Sequence, residues 1–392
     1  MYPLHTMLVL MLGCFTIFAA GTDGHLVPAS LPELMTTLQG KKVTYVQMWE
    51  SVRRPEILEL FRENIYGRTP IGRPANLMFS VTDTSDAMNS KATRKLVTIS
   101  YQSPNGKGAI HLVLFTPKGV THSPCFLLIC NRGPRNIDPT RRIKSPFWPA
   151  EEIVARGYAA AAFCNTDVAP DKYNGFTNGV YSIFDPPGGR TDDSWGAIAA
   201  WAWGASRVMD YLETDKDIDG KRVVIVGHSR GGKTALWAGA EDERFAMAVS
   251  NDSGSTGAAM ARGKQGEHIR DINRVFPHWF CQNYKCYNDR ENELPVDQHM
   301  LAALIAPRLL YIASATEDAW SDPKSEFATA VEAGPAYQLF GLKGLTTDEM
   351  PQPDVPLPNG QIGYLLRTGK HDLTEYDWKC FMDFADKHLQ SK

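Results

Sequence analysis

The pentapeptide Gly227-His228-Ser229-Arg230-Gly231 follows the apolar run Val223-Val224-Ile225-Val226 and precedes a helix-forming stretch from Lys233 to Gly239. G-x-S-x-G between a strand and a helix is the pattern of a nucleophile elbow, a sharp turn that lifts a serine hydroxyl above a sheet edge. The flanking glycines let neighbouring segments approach without a Cβ clash and tolerate φ values that other residues resist. A helix start there favours negative charge that develops beside it. The five letters alone recur by chance. Their placement makes Ser229 a candidate nucleophile rather than a structural turn.

A serine hydroxyl is a poor nucleophile near neutral pH unless a base takes its proton. In the elbow fold the order along the chain is serine, acid, histidine. His371, in Gly369-Lys370-His371-Asp372, stands just before a closing helical segment and fits the base. His388 falls inside that helix, and His278 and His299 precede the last strands. Two carboxylates compete to orient the imidazole. Asp318 follows the strand-like Leu309 to Ala313, and Asp252 in Asn251-Asp252-Ser253-Gly254 follows the strand after the elbow. Either could instead cap a loop, and the residues alone leave the choice open.

Arg230 and Lys233 place two cations within a turn of Ser229. Arg230 could meet an oxyanion with its backbone N–H and with its guanidinium, while Lys233 could bond sugar hydroxyls or simply face solvent at a helix start. An arginine beside the nucleophile points to a polar substrate.

The elements that must position these residues alternate. Val43 to Pro70 has helical spacing of Trp49, Ile57, Leu58, Leu60, Phe61 and Ile65. Leu96 to Tyr101 and Ala109 to Thr116, joined through Pro104-Asn105-Gly106, read as a hairpin. Cys125 to Cys130, Tyr158 to Phe163, Val223 to Val226, Phe245 to Val249 and Pro307 to Ala313 read as strands, several covered on both faces. Ala150 to Ala155, Trp195 to Leu212 and Trp378 to Leu389 read as helices. This alternation predicts an α/β fold, a mostly parallel central sheet in a three-layer α-β-α sandwich. Pro186 to Gly189 and Met350 to Gly360 read as surface loops, so residues 22–392 are expected to form one domain.

The 392 residues are 43% hydrophobic and 22% charged, an ordinary globular balance, and the net charge of −3 gives no basic footprint for nucleic acid. Met7 to Ala20 has the length of a signal-peptide core and is short for a membrane span. With cleavage near Ala19-Ala20-Gly21, residues 1–21 are expected to be a signal peptide and the mature chain to be secreted or periplasmic, with no membrane contact once the leader is removed. Cys14 would leave with that leader. Six cysteines remain, and Cys281 and Cys286 lack neighbours at zinc-site spacing. Neither a metal nor a cofactor is expected, and the expected state is a monomer.

Taken in order, these residues resemble carbohydrate esterase family 15, the glucuronoyl esterases. The resemblance rests on Trp49-Glu50, Arg54-Pro55-Glu56-Ile57-Leu58-Glu59-Leu60-Phe61, Tyr66-Gly67-Arg68-Thr69-Pro70 and His228-Ser229-Arg230-Gly231-Gly232-Lys233. It continues through Asn251-Asp252-Ser253-Gly254, Gly266-Glu267, Ile272-Asn273, Phe276-Pro277-His278-Trp279-Phe280-Cys281, Glu317-Asp318-Ala319-Trp320-Ser321-Asp322-Pro323 and Gly369-Lys370-His371. It implies the α/β-hydrolase fold and hydrolysis of esters between 4-O-methyl-glucuronic acid on glucuronoxylan and alcohols of lignin. By the same resemblance Ser229 attacks the uronoyl carbon, His371 is the base and Arg230 supports the oxyanion. Lys233 and Trp320 would contact the sugar, and Glu267 would shape the site. His228 replaces the cysteine of fungal relatives, so the disulfide usual there should be absent. Asp252 stands where many relatives carry a glutamate. Being one methylene shorter, it leaves Asp318 favoured as the acid, with Asp252 as partner or substitute. Rival readings are an acetyl xylan esterase or related deacetylase of the same fold, and a noncatalytic carbohydrate binder using Trp279 and Trp320.

Overall fold

The computed structural model describes residues 31–263 and 265–389. The leader expected at residues 1–21 lies outside them. Apolar runs too short for helices and too continuous for a one-sided sheet become the centre of a nine-stranded sheet. The strands are β1 Met78–Ala87, β2 Ala92–Ser103, β3 Gly106–Pro117, β4 Ser123–Cys130, β5 Ala159–Cys164, β6 Ile218–His228, β7 Met247–Asn251, β8 Leu309–Ala315 and β9 Ile362–Arg367. Their order is β1-β2-β3-β5-β4-β6-β7-β8-β9. The first three are antiparallel, β5 joins β3 antiparallel, and the strands from β5 to β9 run parallel to one another.

Alternate residues of the central strands feed two apolar cores. Leu127 and Ile129 of β4 enter one core with helix Ala197–Leu212 and helix Arg230–Glu241. Phe126 and Leu128 enter the other, with helix Ala150–Ala155 and the closing helix Glu375–Leu389. The sheet is therefore covered on both sides, as an all-buried strand requires.

The helical stretch expected from Val43 onward runs from Val46 to Tyr66, with wider π-type turns at Trp49–Arg53 and Arg62–Tyr66. Strands β1 and β9 and the helix Pro323–Glu332 carried no clear periodic signal. β1 is an exposed edge with polar residues on most positions and a register shift between Val81 and Asp83. Its Asp83 and Asp86 pair with Arg94 at 2.8 Å and Lys118 at 2.5 Å. The catalytic candidates all emerge where β6, β7, β8 and β9 end, at one rim of the parallel sheet.

Candidate active site

β6 ends at His228, and Ser229 turns the chain with φ 57° and ψ −124°. A left-handed φ at a non-glycine residue costs about 1–3 kcal/mol and persists only when its surroundings enforce it. They do so here: the Ser229 N–H donates to the Asn251 carbonyl at 2.9 Å, and the Ser229 carbonyl accepts the Lys233 N–H at 3.0 Å. A Cβ on Gly227 would collide with the Gly231 carbonyl, and one on Gly232 would lie 3.0 Å from the Asn251 carbonyl. Both glycines are fixed by this close approach.

His371 arrives on the loop after β9, and its ring centroid lies 4.5 Å from that of His228, the residue before the serine. Its Nδ1–H donates to Asp318 Oδ2 at 2.6 Å. That bond leaves Nε2 with its lone pair, the form a general base needs. Burial works against charge on Asp318, but the hydrogen bond from His371 prevails and holds its carboxyl below the usual range.

Asp252 lies beside this pair, yet its bonds run elsewhere. Its Oδ2 accepts the Asp372 N–H at 3.0 Å, and its Oδ1 is buried with no hydrogen-bond partner among the described residues. Arg367 approaches to 3.6 Å but is engaged more closely by Asp377 at 2.9 Å. Burial, reinforced by Glu326 and Asp377, pushes the Asp252 carboxyl well above its usual range. The two carboxylates beside His371 are therefore shifted in opposite directions, Asp318 down and Asp252 up.

Arg230 does not reach freely into solvent. Its guanidinium pairs with Asp171 and lies over the rings of Trp279 at 5.0 Å and Phe276 at 5.4 Å. Asp171 also accepts from His278 Nε2 at 3.1 Å and Trp279 Nε1 at 3.0 Å. Burial opposes its charge, but His278, Arg230 and Trp279 together bring its pKa to about 2.

Lys233 is not a solvated helix start either. It is 3% exposed, and its ammonium donates to the Ser253 carbonyl at 2.7 Å and to the Ser255 carbonyl. Glu267 lies 3.7 Å away, and the N–H of Glu267 donates to the Trp320 carbonyl at 3.0 Å. Trp320 is 56% exposed beside the site and offers an open ring face. Trp279 does not. It is buried, stacked on Phe276 at 3.7 Å and 2°, which corrects the reading of it as a free sugar platform.

Sequence reasoning passed over two carboxylates that organise the site. Asp171 sits in a Pro- and Lys-flanked loop with no motif of its own. Glu326 is fully buried on helix Pro323–Glu332, accepts the Gly254 N–H at 2.8 Å and the Ser314 hydroxyl at 2.6 Å, and so ties the loop after β7 to β8. Its pKa is raised to about 7 by burial.

A strained serine elbow after the central strand, followed by a late histidine bonded to a carboxylate, defines an α/β-hydrolase of the carboxylesterase class. The family described as "Glucuronyl esterase, fungi" matches residues 146–341. The chain is 39% identical over 390 residues to carbohydrate esterase MZ0003 from an unknown prokaryotic organism, covering 92% of this chain and 90% of that one. A glucuronoyl esterase from Solibacter usitatus superposes with a TM-score of 0.88 at 41% identity, over 94% of this chain and all of the other. The 4-O-methyl-glucuronoyl methylesterase of Hypocrea jecorina is 30% identical over 327 residues, 80% of this chain and 63% of its own length. The chain belongs to carbohydrate esterase family 15, the glucuronoyl esterases.

Proposed function

We propose that this chain hydrolyses esters formed by the carboxyl of 4-O-methyl-glucuronic acid, the substituent of glucuronoxylan that is joined to lignin alcohols. Ser229 Oγ attacks the uronoyl carbon while His371 Nε2 takes its proton. Asp318 holds the imidazole in the required tautomer and offsets its charge once protonated. The oxyanion forms at the start of helix Arg230–Glu241, where the Arg230 N–H is the backbone donor that follows the nucleophile. His371 then returns the proton to the leaving alcohol, leaving an acyl-enzyme. Water, deprotonated by the same imidazole, attacks the acyl carbon, and the imidazolium returns that proton to Ser229 Oγ as the uronic acid leaves.

The single observation that carries this reading is the 2.6 Å bond from His371 to Asp318 on the rim that presents the Ser229 elbow. Trp320 and Glu267 form the sugar-facing wall. Lys233 acts on that wall through the carbonyls it holds, with Glu267 3.7 Å from its ammonium. The Met7 to Ala20 run supports export, so the enzyme works outside the cytoplasm on a polymeric substrate.

Benzyl glucuronate and an aryl acetate, offered to purified wild type and Ser229→Ala, test the reading. Wild type should prefer the glucuronate and the variant should lose both activities. A strong preference for acetate would favour a deacetylase of the same fold. Failure of a fluorophosphonate to label Ser229 in folded protein would favour a carbohydrate binder.

A further inference from the structure

The residue before the proposed nucleophile and the residue after the proposed base are gripped by one side chain. Arg132, in the loop that follows β4, donates from Nη1 to Asp372 Oδ1 at 2.5 Å and from Nη2 to His228 Nε2 at 3.1 Å. Its guanidinium lies 4.6 Å over the Phe147 ring, which meets the His228 ring edge-on at 5.8 Å.

Each end of this grip continues into the catalytic loops. With Nε2 accepting from Arg132, the neutral His228 ring carries its proton on Nδ1 and donates to Asn251 Oδ1 at 2.7 Å. Asn251 in turn accepts the Ser229 N–H through its carbonyl. On the other side Asp372 adjoins His371 and gives its own N–H to Asp252. Covalent neighbours and hydrogen bonds thus run without a break from Ser229 through His228, Arg132 and Asp372 to His371.

We propose that Arg132 is a positioning residue, which sets the separation of Ser229 and His371 by bridging His228 to Asp372. A guanidinium suits this task because its planar fork presents two donors in fixed directions, and a lysine ammonium offers no such fork. The inference rests on the assignment of Ser229 and His371 made above. Misplacement of a reacting group by about 1 Å can lower a rate about 100-fold. The residue touches neither reacting atom in this account, so its removal acts on turnover and leaves substrate affinity alone.

The test compares wild type, Arg132→Ala, Arg132→Lys and Ser229→Ala on benzyl glucuronate, with melting temperatures measured in parallel. Arg132→Ala should lose about 10- to 100-fold in kcat with KM within twofold. Added guanidinium should restore at least threefold of that loss, whereas sodium chloride at equal ionic strength should not. Arg132→Lys keeps the cation but reaches one partner, so its kcat should fall at least threefold at an unchanged melting temperature. That second variant decides the matter if Arg132→Ala fails to fold. Wild-type kcat in either variant, a loss confined to KM, or no guanidinium rescue overturns the positioning role. An active Ser229→Ala would instead overturn the assignment of the site, which keeps the two failures distinct.

Discussion

Asp252 and Asp318 each place a carboxylate oxygen within 4.8 Å of the other and of a ring nitrogen of His371, yet only Asp318 bonds that ring. Two like charges so close repel, and burial of Asp252, with Arg367 only 3.6 Å away and shared with Asp377, raises its carboxyl rather than that of Asp318. A divalent ion there would need both carboxylates ionised and the His371 nitrogen released from Asp318. The cluster is built as a bonded Asp318–His371 pair beside a carboxyl whose pKa burial raises.

The first consequence is a ranking. Asp318→Asn should lower kcat on a glucuronate ester about 10³- to 10⁴-fold, because the imidazole loses both its tautomer and its counter-charge. Asp252→Asn keeps an oxygen for the Asp372 N–H and should stay within about fivefold of wild type. Steady-state kinetics on the two variants check this, and the reverse ranking would move the acid to Asp252.

Glu326 makes stability depend on pH. Below its ordinary value of 4.5 both folded and unfolded chains hold the proton, and the group contributes no slope. Between there and about 7 the unfolded chain releases a proton that the buried carboxyl retains, so stability falls as pH rises. The loss amounts to about 3 kcal/mol, and Glu326→Gln should remove it. Urea unfolding of both proteins from pH 4 to 8 measures the slope. Parallel curves would mean that Glu326 is charged in the fold.

Asp171 has the opposite sign. Its folded pKa of about 2 lies below the ordinary 3.8, so its bonds to His278, Arg230 and Trp279 stabilise fully above the unfolded value. That contribution, about 2 kcal/mol, fades as pH falls through the folded pKa. The stability gap between wild type and Asp171→Asn should be constant above pH 5 and shrink below pH 4. A gap that persists to pH 2 would place the stabilisation outside this carboxylate.

Lys233→Met strips the donor from the Ser253 and Ser255 carbonyls. Leaving buried acceptors unpaired should cost about 3 kcal/mol in denaturant unfolding, alongside any change in KM. Unchanged stability with a raised KM would show that the ammonium serves the sugar directly.

The elbow was legible because its signal is local: four apolar strand residues, two glycines and a helix start adjoin Ser229. The buried strands were legible for the same reason, since Cys125 to Cys130 can satisfy its side chains only inside a covered sheet. β1 was not, because its exposed alternation of polar residues matches a loop as well as an edge strand. The site's supports were hidden by distance along the chain. Asp171 and Arg230 are 59 residues apart, Gly254 and Glu326 are 72 apart, and Arg132 and Asp372 are 240 apart. The choice of acid needed the side-chain direction at Asp252, which points to the Asp372 amide instead of the imidazole. The burial of Lys233 and Trp279 was not legible, because residue type does not say whether a cation or an aromatic ring is exposed.

The open side of β1 has a consequence wherever copies of the molecule crowd together. An unprotected outer strand is a template on which another chain can add its own. The register shift after Val81 breaks the regularity of the strand, and the ion pairs of Asp83 with Arg94 and Asp86 with Lys118 line it with charged side chains that a second strand would have to desolvate. Colloidal self-protection is thus written into the strand farthest from the chemistry.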